Sequence, residues 1–212
     1  MDYTVFLMDY RFYKKQFSYF TIDNYFTKEE LDTIWPELES YQGKFQNEAA
    51  MNRSGSVSAK GQFIHNDHLV YNNVSNKLFK VENPYETYVK QDIHFKWMRN
   101  LLYSTRLLNY YDDEDFYDTH TDFSVYTMVV MLCKEPKRFV GGDFHLTDIN
   151  EKIEFKNNRI VFFPSFAGHK VDTVKMNSKD RNKGLGRYSI THFFYIPLDE
   201  EELPILKQQA NR

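Results

Sequence analysis

A single cysteine, Cys133, occurs in 212 residues. That excludes an intramolecular disulfide and any all-cysteine zinc site, and it suits a reducing compartment. Glycine (8) and proline (6) are also scarce, which excludes collagen-like, linker-like and low-complexity chains. Charge of neither sign dominates. A net charge of −3 and a pI near 6.2 exert no long-range pull on a polyanion, so a nucleic-acid partner is disfavoured unless a local basic groove supplies one. The longest central apolar run, 126–133, falls far short of the ~20 residues of a membrane helix. Asp2 and Asp9 interrupt the apolar residues at the start, no cationic segment precedes them, and no signal peptide is expected. The expectation is a soluble, cytoplasmic, single-domain protein that builds its core without covalent or metal support.

Aromatic rings are plentiful: 19 Phe, 16 Tyr and 2 Trp. Rings serve cores, pockets and binding faces alike, so the count alone assigns no purpose. Near the start, 4–8 and 18–22 read as strands. A helix follows, because Thr27 can cap it, Glu30 completes a capping box and Phe26 can act as a staple. Leu31, Ile34, Trp35 and Leu38 form its apolar face, and Pro36 is expected to shorten or kink it. Residues 42–62 are polar and small, hence a loop. Around 85–103 a helix is expected, with Tyr88, Ile93, Trp97 and Leu101 on one stripe. From 104 onward the pattern changes to short strands at 104–111, 123–133, 142–149, 159–163, 169–175 and 187–196, which indicates a β-sandwich or barrel.

Three segments carry chemistry. In Tyr117-Asp118-Thr119-His120-Thr121-Asp122, the i and i+2 side chains of an extended chain point the same way, so His120 and Asp122 can share one ion. In the run 162–171, an apolar strand ends in a proline-containing turn that delivers His169. In Gly186-Arg187-Tyr188-Ser189-Ile190-Thr191, Arg187 and Ser189 share a face. Two histidines and a carboxylate make a facial triad with open positions on non-haem Fe(II). An arginine fork and a serine hydroxyl beyond them suit a carboxylate. Such a set meets a cosubstrate that chelates iron at one end and ends in a carboxylate, as 2-oxoglutarate does.

On these residues the sequence resembles the Fe(II)/2-oxoglutarate-dependent dioxygenases, in particular the prolyl 4-hydroxylase-like branch. The HxD…H…RxS order is matched by His120, Asp122, His169, Arg187 and Ser189. Further matches are Tyr111 and Tyr117 before the HxD, Thr127 on the next strand, Gly141-Gly142, and 159–164 leading to the distal histidine. The resemblance covers about 106–196, with a weaker echo at 18–40. It implies an α+β, β-dominated fold: a double-stranded β-helix, jelly-roll or cupin-like, as the core (106–197), braced by a helix-containing N-terminal support (1–105). His120, Asp122 and His169 would then be the metal ligands and catalytic centre. Arg187 and Ser189 would hold the distal carboxylate of 2-oxoglutarate, Thr127 and Tyr111 would donate hydroxyls, and Tyr117 would line the path between cosubstrate and substrate. Fe(II), 2-oxoglutarate and O2 are the implied cofactors, with ascorbate as an accessory reductant. The implied reaction hydroxylates a protein or peptide side chain, proline first, and yields succinate and CO2. A free amino acid, small metabolite or nucleobase substrate is the alternative within the class; a non-catalytic jelly-roll binding module or a cupin-type metal enzyme lies outside it.

The sequence departs from the family in three places. Eighteen positions separate His169 from Arg187, which makes 176–186 an added polar loop and leaves Lys170 and Arg181 as poorer stand-ins for the arginine. An acidic run, Asp112-Asp113-Glu114-Asp115, replaces the usual glycine turn and would be either a solvated rim or a selector of cationic substrates. Met131 stands where relatives place a cosubstrate tyrosine. Because Tyr110 and Tyr111 adjoin, a one-residue slip would exchange their roles. His65-Asn66-Asp67 is a competing HxD without strand context. His94, His145 and His192 read as ordinary residues, His192 with a pocket role as its alternative. The loops 42–75 and 176–186 are lid candidates.

Overall fold

The computed structural model describes residues 8–45, 59–63, 90–101 and 103–196. The expected strand at 4–8, the competing HxD at 65–67 and Tyr88 fall wholly or largely outside them. Two sheets face each other as a jelly roll. The larger has seven strands: β1 (Asp9–Lys14), β2 (Ser18–Asp23), β3 (Lys60–Phe63), β4 (Tyr103–Tyr111), β6 (Tyr126–Leu132), β10 (Arg159–Pro164) and β13 (Arg187–Tyr195). Their spatial order is β1-β2-β10-β6-β13-β4-β3. The smaller sheet runs β5-β11-β8-β9, formed by β5 (Tyr117–His120), β8 (Phe144–Leu146), β9 (Glu151–Ile153) and β11 (His169–Val171). A separate two-stranded ribbon pairs β7 (Phe139–Gly141) with β12 (Val174–Met176).

Every residue of β6 is buried, as expected of a central strand covered on both faces. The pleat divides the side chains into two cores. Even positions such as Tyr110, Val130, Tyr188 and Ile190 meet α1 (Lys28–Ser40) through Ile34 and Leu38. Odd positions such as Tyr111, Val129 and Met131 face the smaller sheet and meet Phe144, Phe163 and Val171.

Three expectations change here. The capping box of α1 is present, with Thr27 and Glu30 bonded reciprocally, but the helix continues through Pro36 to Ser40. Ile34 and Leu38, buried on either side of the proline, keep that turn packed on the sheet. The second helix is a 3₁₀ helix, Ile93–Asn100. At three residues per turn its apolar residues align at i and i+3, so Phe95 and Met98 are buried while Ile93 and Trp97 are 69% and 50% exposed. Part of the expected loop at 42–62 is the edge strand β3, paired with β4.

Asp23 ties the N-terminal strands to the jelly roll. Its buried carboxylate accepts from Arg159 Nε and Nη2 and from Lys156 Nζ. Burial alone would raise its pKa, yet the hydrogen bonds and charges of Arg159 and Lys156 prevail and hold it at about 2. The folded pKa lies below the ordinary value, so this stabilisation is full above about pH 4 and is lost as pH falls toward 2. Asp23→Ala is expected to cost about 3 kcal/mol, since it leaves Arg159 partly buried without its partner. Urea denaturation at pH 7 and pH 3 measures the loss, and a smaller difference between variant and wild type at pH 3 is the expected signature.

Candidate active site

Strands β5 and β11 place His120 and His169 directly opposite each other, and the chain turns after β5 to bring in Asp122. His120 Nε2 lies 3.8 Å from Asp122 Oδ1, and His169 Nε2 lies 3.5 Å from Asp122 Oδ2. One ligand atom from each residue fits within 4.8 Å of the others. Both imidazoles are held by the same device. His120 Nδ1 sits 2.8 Å from the Asp118 carbonyl, and His169 Nδ1 sits 2.9 Å from the Ala167 carbonyl. A carbonyl only accepts, so each Nδ1 carries the proton and each Nε2 presents a lone pair to the centre. Burial beside Phe163 and Phe144 pushes the His169 pKa down to about 4, which favours the ligating neutral form. Tyr117 stacks on the His120 ring at 3.8 Å. Two nitrogens and a carboxylate oxygen of this kind suit Fe(II) and leave coordination positions open.

Asp122 is oriented from behind. Thr127 Oγ1 donates to Asp122 Oδ2 at 2.6 Å, Ser165 Oγ lies 2.9 Å from Thr127 Oγ1, and Ser124 Oγ lies 2.6 Å from Ser165 Oγ. The Asp122 amide also donates to the Ser165 carbonyl. Thr127 was expected to donate to the cosubstrate; its hydroxyl is instead committed to the carboxylate ligand. The reason is register, since Thr127 pairs with Phe193 and Phe163, six positions along β13 from Arg187. Thr127→Val is expected to weaken metal binding about 10- to 100-fold, measured by Co(II) or Fe(II) titration, and Thr127→Ser is expected to recover most of it.

At the other end lies Arg187, fully buried and paired across the strands with Tyr111. Its guanidinium packs over the Tyr111 ring at 4.8 Å and near Phe155 at 5.6 Å. Nε donates to the Gly142 carbonyl at 2.9 Å, while Nη1 and Nη2 have no partner among the described residues. Gly141 and Gly142 both adopt positive φ, near +72° and +71°, and a Cβ on Gly142 would stand 3.0 Å from Arg187 Cδ. The double glycine therefore makes room for the arginine and turns a carbonyl onto it. A buried guanidinium with an empty fork is costly unless an anion fills it. Two such parallel donors match a planar carboxylate.

Between these ends a cavity is lined by Asn109, Tyr111, Tyr117 and Ser189 together with the three candidate ligands. Tyr111 faces it. Tyr110 points to the opposite core and donates to Asp112 Oδ2, which resolves the choice between the two tyrosines. Burial pushes the Tyr111 hydroxyl up to about 12, so it serves as a neutral donor. Asn109 went unnoticed in the sequence. It lies opposite Ser189, buried, and its Oδ1 has no partner among the described residues. The available signal was its position two residues before Tyr111 on one strand, and so on the same face.

The stand-ins for Arg187 are engaged elsewhere: Lys170 with Asp172, and Arg181 with Asp113. The acidic run is engaged by its neighbours, with Glu114 exposed at its tip. Asp112 is buried and accepts from Tyr110 and from the Asn182 amide, Asp113 accepts from the Met176 amide, and Glu114 pairs with Lys175. The acidic turn thus latches the added 176–186 loop onto the barrel. His145 pairs with Asp172, and His192 is buried on the face of β13 opposite the cavity.

The family model described as the 2OG-Fe(II) oxygenase superfamily matches residues 105–195. These residues are a 2OG-Fe(II) oxygenase domain. No curated protein sequence matches it. Among solved structures, a Pseudomonas putida prolyl-4-hydroxylase is similar over 84% of this chain and 92% of its own, at 13% identity and a TM-score of 0.56. A Trichoplax adhaerens prolyl hydroxylase, solved with a hypoxia inducible factor peptide fragment, is similar over 88% and 86%, at 16% identity and a TM-score of 0.58. A Burkholderia pseudomallei oxidoreductase of the 2OG-Fe(II) oxygenase family is similar over 84% and 86%, at 14% identity and a TM-score of 0.55. At such identities the likeness is one of fold, and the jelly roll is that fold. Among the described residues no helix is long and apolar enough to cross a membrane.

Proposed function

We propose that this oxygenase hydroxylates a side chain of a peptide or protein, with proline the first substrate to try. Ferrous iron, with 2-oxoglutarate and O2, would supply the oxidation, releasing succinate and CO2 as one oxygen atom enters a substrate C–H bond; ascorbate would serve as an accessory reductant. His120, Asp122 and His169 would hold the metal through two Nε2 atoms and one carboxylate oxygen. Thr127 would keep Asp122 turned toward it. Arg187 would grip the distal carboxylate of 2-oxoglutarate with Nη1 and Nη2. Tyr111, Ser189 and Asn109 would line the cosubstrate's path with hydrogen-bonding groups, and Tyr117 would wall it beside His120. On this reading 106–197 is the catalytic core and 1–105 its support within a single domain.

The observation that carries the proposal is the buried Arg187 guanidinium, whose Nη1 and Nη2 have no partner among the described residues and which shares one inward-facing row of β13 with Ser189 beside the cavity of the His-Asp-His cluster. The peptide assignment is supported by the prolyl hydroxylases of Pseudomonas putida and Trichoplax adhaerens, the latter solved with a peptide fragment. The test is succinate release with Fe(II), 2-oxoglutarate and proline-containing peptides, free amino acids or oligonucleotides. Stimulation by peptides with a gain of one oxygen in their mass is the expected result. Stimulation only by amino acids or oligonucleotides would move the substrate class.

A further inference from the structure

Five large apolar side chains are mainly exposed among the described residues, and four of them line one cleft: Ile93, Trp97, Phe123 and Phe166. Phe123 is 90% exposed and Phe166 67%. A folded chain rarely gathers exposed rings on one patch unless something covers them. The cleft encloses about 510 Å³, and its wall includes Asp122, which also lines the inner cavity. Whatever lies in the cleft therefore abuts the candidate metal centre. Among the described residues the cation on its wall is Lys96, whose ammonium rests 4.9 Å from the Trp97 ring and has no carboxylate partner there. Because Asp122 is directed to the metal centre, Lys96 is the charge left to meet a ligand.

We propose that this cleft is the docking groove for the substrate, an extended peptide. An apolar side chain of the peptide packs between Phe123, Phe166 and Trp97, and an acidic residue of the same peptide meets Lys96. The inference deepens the oxygenase reading and rests on it. An extended peptide matches the groove in three respects: it spans from the 3₁₀ helix to the turn before β11, it brings apolar and charged groups at separate points, and it delivers one side chain past Asp122. Among the described residues a polynucleotide would meet a single cation on this wall, too few for phosphate neutralisation.

The experiment uses the full chain loaded anaerobically with Fe(II) and 2-oxoglutarate. The probes are acetylated decapeptides with a central leucine-proline pair and one glutamate moved through the other positions, and the same peptides with glutamine. Trp97 reports binding through its fluorescence. At the best position, glutamate is expected to bind about two- to five-fold more tightly than glutamine, the scale of one exposed ion pair. Lys96→Glu should reverse that order. Phe123→Ala and Phe166→Ala should each weaken binding about thirty-fold if they act as aromatic anchors, and both positions are exposed enough for the chain to fold. A flat response to every peptide, or unchanged binding in both phenylalanine variants, overturns the groove. So does a dimer that disappears in Phe123→Asp, because the cleft would then belong to a second copy. A wild-type chain whose melting temperature ignores Fe(II) and 2-oxoglutarate would overturn the oxygenase reading itself. Stabilisation by both ligands with no effect of peptide overturns the groove alone.

Discussion

His169→Ala is expected to abolish iron-dependent succinate formation and to raise the dissociation constant for Fe(II) more than about a hundred-fold, beyond the 10- to 100-fold for losing an outer partner of a ligand. The imidazole is buried between Phe163 and Phe144 and opposite His120, and among the described residues the cluster has no fourth ligand to take its place. Deleting it leaves one nitrogen and one carboxylate, too few to hold the metal against water. His120→Ala should behave similarly. It differs in that Tyr117 loses the ring on which it stacks, so cosubstrate binding suffers as well. Isothermal titration with Fe(II) under anaerobic conditions, and succinate analysis after mixing with O2, provide the two measurements. Retained iron affinity in His169→Ala would remove this residue from the metal centre, and His145 would not replace it, since that ring is paired with Asp172.

Arg187→Met is expected to raise the KM for 2-oxoglutarate about 10- to 100-fold, because a hydrogen bond to a charged group contributes about 1.5–3 kcal/mol. The same substitution should leave the ligand-free chain as stable as before, or more so. The wild-type guanidinium is fully buried, and burial lowers its pKa; methionine fills similar space without an uncompensated charge. The opposed signs separate the two roles. A residue needed only for packing would lose stability and cosubstrate affinity together, whereas an anion-binding residue loses affinity alone. Thermal melts with and without 2-oxoglutarate read both quantities. Arg187→Lys should recover little, since an ammonium cannot span both carboxylate oxygens while bonding the Gly142 carbonyl. An unchanged KM would dismiss Arg187 as the anchor.

Much of this site was legible because its signals are local. An HxD keeps two ligand types two residues apart; His120 ends β5 and the turn that follows brings Asp122 back beside it. A capping box spans three, and Thr27 and Glu30 form it as read. Arg187 and Ser189 share a face by the alternation of a strand, β13. Where the reading failed, the deciding contact lay far along the chain. Pro36 stays inside α1 because two buried neighbours pack on a distant sheet. Thr127 serves Asp122 because the register of β6 against β13 and β10 sets it opposite Phe193 and Phe163, away from Arg187.

The sequence by itself determined the residue types of the candidate metal site, their order, and the strand periodicity that turns Arg187 and Ser189 inward, because each depends on short local spacings. Only the tertiary structure decided that His169 faces His120, that Tyr111 and not Tyr110 meets Arg187, and that Asn109 joins the cavity wall. It likewise decided that the acidic turn at 112–115 latches the loop at 176–186. The physical reason is common to all four. A strand's register, and the burial of a charge, follow from which distant partners exclude water from it, and those partners are chosen by the packing of the whole chain.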